Sequence, residues 1–303
     1  MSRGGKAIIS IGFLIILILS ICAFFKSDIE YMVVTKNIDR LYGTTVENDY
    51  FIEDNFDYVD NATDAILTSK NDVINTIYFL INSGTTYSER YCSKDYKNCF
   101  NDINELSSDV ELLTNLNNYV HPYNSFDNIS FSFNNEVVQI KIEHIYSEDD
   151  INTLNKIVDE FINNNITNSM GTKEKIRIIH DYIINNADYD ILKTKNKDDN
   201  TYRSSTAYGV LVQGYGICSG YSDAMAIFLD KLNIINYKIS NDQHIWNLVY
   251  LDGEWLHLDL TWDDPISDSN ITRDNYFLIS TKNLETLDDG VHYYNKSIFT
   301  EAV

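Results

Sequence analysis

Apolar residues along this chain alternate between helical spacing and a period of two. Over 63–82 (TDAILTSKNDVINTIYFLIN), Ile66, Ile74, Tyr78 and Leu80 keep helical spacing, and Ser83-Gly84 reads as the stop. The run 103–120 (INELSSDVELLTNLNNYV) predicts a second helix, ended by His121-Pro122. Period two then takes over. Ile129, Phe131 and Phe133, followed by Val138, Ile140, Ile142 and His144, predict a β-hairpin turning at Asn134-Asn135. Ser147 with Glu148, Asp149 and Asp150 has a capping-box pattern and opens a helix through 165. Thr172 is placed to cap a further helix over 173–187, with Ile176, Ile179 and Ile183 on one face. The polar stretch 191–203 reads as a loop. Residues 218–232 (CSGYSDAMAIFLDKL) predict a helix with Ala224, Ile227, Phe228 and Leu232 on its stripe. Three short runs close the pattern: YKIS, HIWNLVYL and EWLHLDL, the last two joined by Asp252-Gly253, a hairpin signal. Helices followed by antiparallel strands make an α+β plan.

Ahead of all this, residues 7–25 (AIISIGFLIILILSICAFF) carry no charge, with Arg3 and Lys6 before them and Lys26 after. As a helix they would span about 28 Å at roughly 1.5 Å per residue, close to the thickness of a bilayer's hydrocarbon core. The preferred reading is a retained single-pass anchor in the cell membrane, with the positive charge held inside. A cleaved signal peptide stays open, as does a lipoprotein carrying its lipid on Cys22. Each of the three places the rest of the chain outside the cytoplasm. The chain then divides into the anchor or signal segment 1–26, an acidic stalk 27–60, an accessory α/β region 61–146, and a catalytic-type domain 147–303.

Composition narrows the partners. The 303 residues are 44% hydrophobic, enough for a packed core, and the net charge of −22 argues against nucleic acid or an anionic lipid surface. Cys92 and Cys99 frame the polar loop CSKDYKNC, and outside the cytoplasm they are expected to form a disulfide. Cys218 is then left without a partner.

Cys218 stands among Gly214, Gly216 and Gly220 where a helix begins. Small neighbours would let a substrate backbone approach, and the free amides and partial positive charge of a helix start stabilise a thiolate and an oxyanion. A thiol nucleophile needs a base, and His244 opens the strand HIWNLVYL. Pairing outward from the Asp252-Gly253 turn places His244 opposite 261. Asp259 is two residues off, on the same face and diagonal to His244, where a carboxylate would orient the imidazole. His257 shares that face and stays open as an alternative base or metal ligand. Cys218, His244, His257 and Asp259 lack the short ligand spacing of a structural zinc site, so no metal is expected. His121, His144, His180 and His292 are scattered and read as structural.

GYGICSGYSDAMAIFL followed by QHIWNLVYLDGEWLHLDLTWDDP resembles the core of the transglutaminase-like superfamily. The matching residues are Cys218 with Gly220-Tyr221, His244 with Trp246-Asn247, and Asp259 with Thr261-Trp262, in that order. Ile245 stands where the family usually has a small residue. HDYIINNADYD at 180–190 is similar to the helix upstream of that core. The resemblance implies a papain-like core in which the cysteine-bearing helix packs on an antiparallel sheet. It also implies a triad with Cys218 as nucleophile, His244 as acid and base, and Asp259 orienting it. Gln213 is then a candidate oxyanion donor by analogy with the side-chain amide of papain-type sites, and Trp246, Trp255 and Trp262 are read as packing around the triad. No cofactor is implied, and a calcium requirement is not carried over, because 262–274 lacks an ordered ligand loop.

The expectation is cysteine-dependent acyl transfer on peptide or protein amides, by hydrolysis or by transfer to an amine. A peptide, a protein or a cell-envelope polymer would be the partner. The alternative is a non-catalytic module that binds peptide or surface polymer on the same fold.

Overall fold

The computed structural model describes residues 48–303 apart from 63, 135–136, 265–273 and 288–289. The predicted membrane segment 7–25, Cys22 within it, the turn residue Asn135 and most of 262–274 lie outside the described residues. Among the described residues no helix is long and apolar enough to cross a membrane. The described end of the segment read as a stalk lies against the body, with Phe56 and Val59 buried and Asn48 bonded to Asn124.

The accessory region builds a four-stranded sheet of order β1-β2-β4-β3, from Ile66–Leu67, Tyr87–Cys92, Phe126–Asn134 and Val137–His144. Three helices accompany it: α1 (Lys70–Asn82), α2 (Cys99–Ser108) and α3 (Val110–Asn118). Two expectations change here. The start of the predicted 63–82 helix is β1, and Ser69 caps α1 by accepting from the Asp72 amide. The predicted 103–120 helix is two helices, because Asp109 ends α2 and its side chain caps α3. Cys92 and Cys99 are joined by a disulfide that ties β2 to the start of α2.

The second half opens with α4 (Glu148–Asn165), whose first turn closes the full capping box between Ser147 and Asp150. Helix α5 (Thr172–Asn186) follows, with Gly171 as its cap residue. Then come the two-residue strand β5 (Asp188–Tyr189) and the short helix α6 (Ile191–Lys195), the helix lying in the 191–203 stretch expected to be loop. After a turn of π-helix over Gly209–Gln213, strand β6 (Tyr215–Gly216) pairs parallel with β5 and delivers the chain to α7 (Cys218–Lys231).

A central antiparallel sheet of order β10-β9-β8-β7 follows, from β7 (Asn236–Ser240), β8 (Ile245–Leu251), β9 (Glu254–Leu258) and β10 (Ile279–Ser280). The single turn α8 (Leu260–Asp263) lies between β9 and β10, and α9 (Thr281–Leu287) follows β10. The β8–β9 register pairs Asn247 with Leu258 and Leu251 with Glu254, which is the register obtained by pairing outward from Asp252-Gly253.

This central sheet is covered on both faces, and the alternation of β8 shows how. Trp246 and Leu248 join Tyr237, Ile239, Phe299 and the accessory core of Val73, Ile77, Leu80, Leu116 and Ile140. Val249 and Leu251 join Ile176, Ile179, Ile183, Ala224 and Phe228 from α5 and α7. Helix α7 is therefore buried on every side from Gly220 to Leu229 rather than along one stripe.

Two polar ties fix the sheet to α7 from neighbouring positions, since Lys238 pairs with Asn247 across β7 and β8. Asn247 Nδ2 donates to the Ser222 carbonyl at 2.9 Å. Lys238 Nζ donates to Asp223 Oδ1 at 2.7 Å, and both side chains are almost fully buried.

Candidate active site

The glycines around Cys218 set its position through packing. Gly214 adopts φ +75°, the left-handed conformation that glycine tolerates best, and turns the chain into β6. A Cβ on Gly220 would lie 2.3 Å from the Ser204 carbonyl oxygen, and one on Gly216 would lie 2.6 Å from Val210 Cγ2. The first turn of α7 thus rests directly on the backbone at Ser204, whose carbonyl also accepts from the Ile217 amide. Close approach of a substrate, the role read from the sequence for these glycines, is not what these two positions serve.

Helix α7 starts at Cys218 itself and has no side-chain cap. Its first amides are therefore free of the cap that serves α1 or α3, and the sulfur sits beside them. Cys218 is partly exposed and is the free cysteine among the described residues. It lines a cavity of about 310 Å³ together with Ser219, Asp223, Lys238, Ser240 and His244. The accessory region supplies the opposite wall through Thr114, Asn117, Asn118 and Ser125. Asn118 Nδ2 donates to Ser240 Oγ at 2.6 Å, which pins that wall to β7.

His244 lies one residue before β8, and Asp259 one residue after β9. At the open end of the ladder, His244 Nε2 meets Asp259 Oδ2 at 2.5 Å. The carboxylate accepts only, so this nitrogen carries the hydrogen and Nδ1 is not engaged by the carboxylate, while the Cys218 thiol lines the same cavity as this ring. Burial opposes charge on the ring, but the charge and hydrogen bond of Asp259, and after them the nearby Cys218, outweigh it and push the pKa of His244 up to about 10. Burial likewise works against ionisation of Asp259, yet His244 and then His292 hold its carboxyl well below the usual range.

The other oxygen of Asp259 caps α8, accepting from the Thr261 and Trp262 amides at 2.8 and 3.2 Å. The Asp-x-Thr-Trp spacing is thus a helix cap that leaves one carboxylate oxygen for the histidine. Trp246 stacks on His244 with ring centroids 5.6 Å apart, and Trp262 meets the same ring edge-on. Trp255 packs instead on Tyr237 and Tyr250, away from the site.

His257 is committed elsewhere. Trp246 Nε1 donates to its Nδ1 at 3.0 Å, and its Nε2 faces Thr281 Oγ1 at 3.1 Å. Burial, and after it the nearby His292, pushes its pKa down to about 3, so it is a neutral link in the core and not the alternative base. Gln213 does not line the cavity; its Oε1 accepts from the Arg203 amide at 2.7 Å. His292, read from sequence as structural, is brought to the site: its Nε2 lies 2.8 Å from Asp259 Oδ2. No spacing rule points to it, because it reaches Asp259 from the C-terminal segment by tertiary packing alone. His244, Asp259 and His292 place their ligand atoms within 4.8 Å of one another. Hydrogen bonds within the group already occupy these atoms.

Residues 159–260 match the family model of the transglutaminase-like superfamily, a span that takes in Cys218, His244 and Asp259. The structure is similar to one described as "Crystal structure of a TGase", at 16% identity and a TM-score of 0.36, over 49% of this chain and 47% of that one. It is also similar to one described as a "Putative Cysteine Protease from Cytophaga hutchinsonii", at 16% identity and a TM-score of 0.27, over 44% of this chain and 61% of that one. The chain thus spans about half the length of the first and less than two thirds of the second. No curated protein matches it.

Proposed function

We propose that this protein, transglutaminase-like over residues 159–260, performs cysteine-dependent acyl transfer on peptide or protein amides. The observation that carries the reading is a partly exposed thiol at an uncapped helix start, lining one cavity with a buried imidazole that is hydrogen-bonded to a carboxylate.

In the first half-reaction His244 takes the Cys218 proton through Nδ1, and the sulfur attacks the amide carbonyl. The oxyanion that forms is met by the amides at the start of α7, and Gln213 is left out because it faces Arg203. His244 returns the proton to the departing nitrogen as the C–N bond breaks, leaving a thioester. Water or an amine, deprotonated by His244, then releases the acyl group and restores the thiol. Asp259 stabilises the imidazolium and fixes the tautomer throughout. Residues 7–25 hold the protein in the cell membrane with this region outside the cytoplasm. The Cys92–Cys99 disulfide supports that placement, because such bonds persist in oxidising compartments.

The test is alkylation of the full chain by iodoacetamide near neutral pH, with the adduct mapped. Cys218 reacts faster than a model thiol, and His244→Ala slows it. Equal rates in both proteins reject the triad and favour a non-catalytic binding module. Incubation with a labelled primary amine and a glutamine-bearing protein then separates transfer from hydrolysis. Absence of incorporation, with cleavage that disappears in Cys218→Ala, assigns a protease or amidase.

A further inference from the structure

Asp259 has two imidazole partners on one oxygen. Oδ2 meets His244 Nε2 at 2.5 Å and His292 Nε2 at 2.8 Å, while Oδ1 accepts two backbone amides. A carboxylate has about four acceptor sites, and all are filled. An ionised carboxylate cannot donate, so His292 presents an N–H to it. The ring is held in place on its other sides. Tyr276 stacks on it at 4.6 Å, and Trp246, Trp262 and the His244 ring meet it edge-on at 5.0, 5.2 and 5.1 Å.

We infer that His292 is a positioning residue of the acyl-transfer site, which clamps the Asp259 carboxylate through a second donor hydrogen bond and limits how tightly Asp259 holds the His244 proton. This rests on the proposed function. The clamp acts in two ways. It fixes the plane of the carboxylate, and so the aim of His244 at Cys218. It also withdraws charge from the oxygen that stabilises the His244 imidazolium. Each such donor changes a carboxylate's proton affinity by about one pH unit, and part of that change reaches His244.

Among the described residues, titratable groups from several elements face this pair. Asp259, Cys218 and His292 face His244. Asp259, His244, His257 and Tyr276 face His292. Tyr189 and Asp263 complete the surroundings of Asp259. Lys238 and Asp223 line the same cavity as His244 and are paired with each other.

The test is the pH profile of Cys218 alkylation by iodoacetate in the full chain, with thermal unfolding recorded for each variant. Iodoacetate is an anion, so its rate falls at the alkaline end as the His244 imidazolium loses its proton. His292→Phe keeps the stacking on Tyr276 and removes the donor; His292→Leu is a second removal. Both lower the plateau several-fold and move the alkaline limb up by about half a pH unit. His292→Gln, which places an N–H at the position of Nε2, restores limb and plateau. Removal variants that stay folded and leave the limb unmoved overturn the inference, because a merely structural ring would change the plateau or the melting temperature alone. If neither removal variant folds, His292→Gln decides alone, and a limb or plateau that differs from wild type in that folded variant overturns it. A wild-type profile with no alkaline fall overturns the triad itself, and is told apart because it appears before any substitution at His292.

Discussion

Lys238 and Asp223 tie β7 to α7 beside the cavity, and the strength of that tie follows from the structure. The two groups meet at 2.7 Å with side chains 5% and 6% exposed. Asp223 is further satisfied by the Tyr146 hydroxyl at 2.6 Å, and Lys238 by Ser125 Oγ at 3.3 Å. Taking two charges out of water offsets much of their attraction, so the pair itself contributes modestly. Removing one partner, however, strands the other. Lys238→Met leaves Asp223 in the interior without its counter-charge and is expected to cost about 3–5 kcal/mol. Lys238→Met combined with Asp223→Asn keeps an acceptor for Tyr146 and buries no charge, and is expected to recover all but about 1 kcal/mol. The recovery on adding Asp223→Asn to Lys238→Met is therefore about 2–4 kcal/mol. Equilibrium unfolding in urea, followed by tryptophan fluorescence, measures it, since Trp246 is 1% exposed in the adjoining strand. Thermal melts give a second reading, with the single variant lower by about 6–20 °C at 2–4 °C per kcal/mol. A single variant that loses under about 1 kcal/mol, with no recovery in the double, would refute the reasoning. The pair would then be solvated through the cavity.

Gly220→Ala is expected to lose about 1–3 kcal/mol or more, because its Cβ would lie 2.3 Å from a backbone oxygen that cannot turn aside. The helix start must move, so Cys218 alkylation slows as well; urea unfolding and the alkylation rate check the two effects separately. The His244–Asp259 pair makes stability depend on pH. His244 is raised from 6.5 to about 10 on folding, so its share is fully present below pH 6.5 and is lost as pH rises through about 10. Asp259 is lowered from 3.8, so its share is present above that pH and is lost on acidification. Asp259→Asn should flatten the profile between pH 6.5 and 10, which unfolding midpoints across that range will show. An unchanged slope would mean that the pair does not form.

The hairpin register was legible in the sequence because Asp252-Gly253 specifies the turn and alternation specifies the face; together they place Asp259 diagonal to His244. The capping box at Ser147 and the helix start at Cys218 were legible for the same reason: each is decided by residues within one turn of the chain. Misreadings arose where local spacing is ambiguous. Ile66 and Leu67 fit a helical stripe, yet they pair with Tyr91 and Cys92 as a strand, and only that neighbour makes them one. The glycines near Cys218 suggested room for a substrate, whereas Gly220 is dictated by Ser204, sixteen or so residues earlier. Gln213 lay at a suitable distance from Cys218 along the chain, but its side chain found the Arg203 amide. Sequence by itself determined the β3–β4 and β8–β9 hairpins, the capping box at Ser147 and the helix start at Cys218, since these depend on short-range propensity and period. Tertiary structure alone decided that His292 shares Asp259, that His257 is neutral and occupied, and that the accessory region walls the cavity. Those outcomes depend on which distant surfaces meet, and hydrogen bonds between residues far apart in the chain leave no period to read.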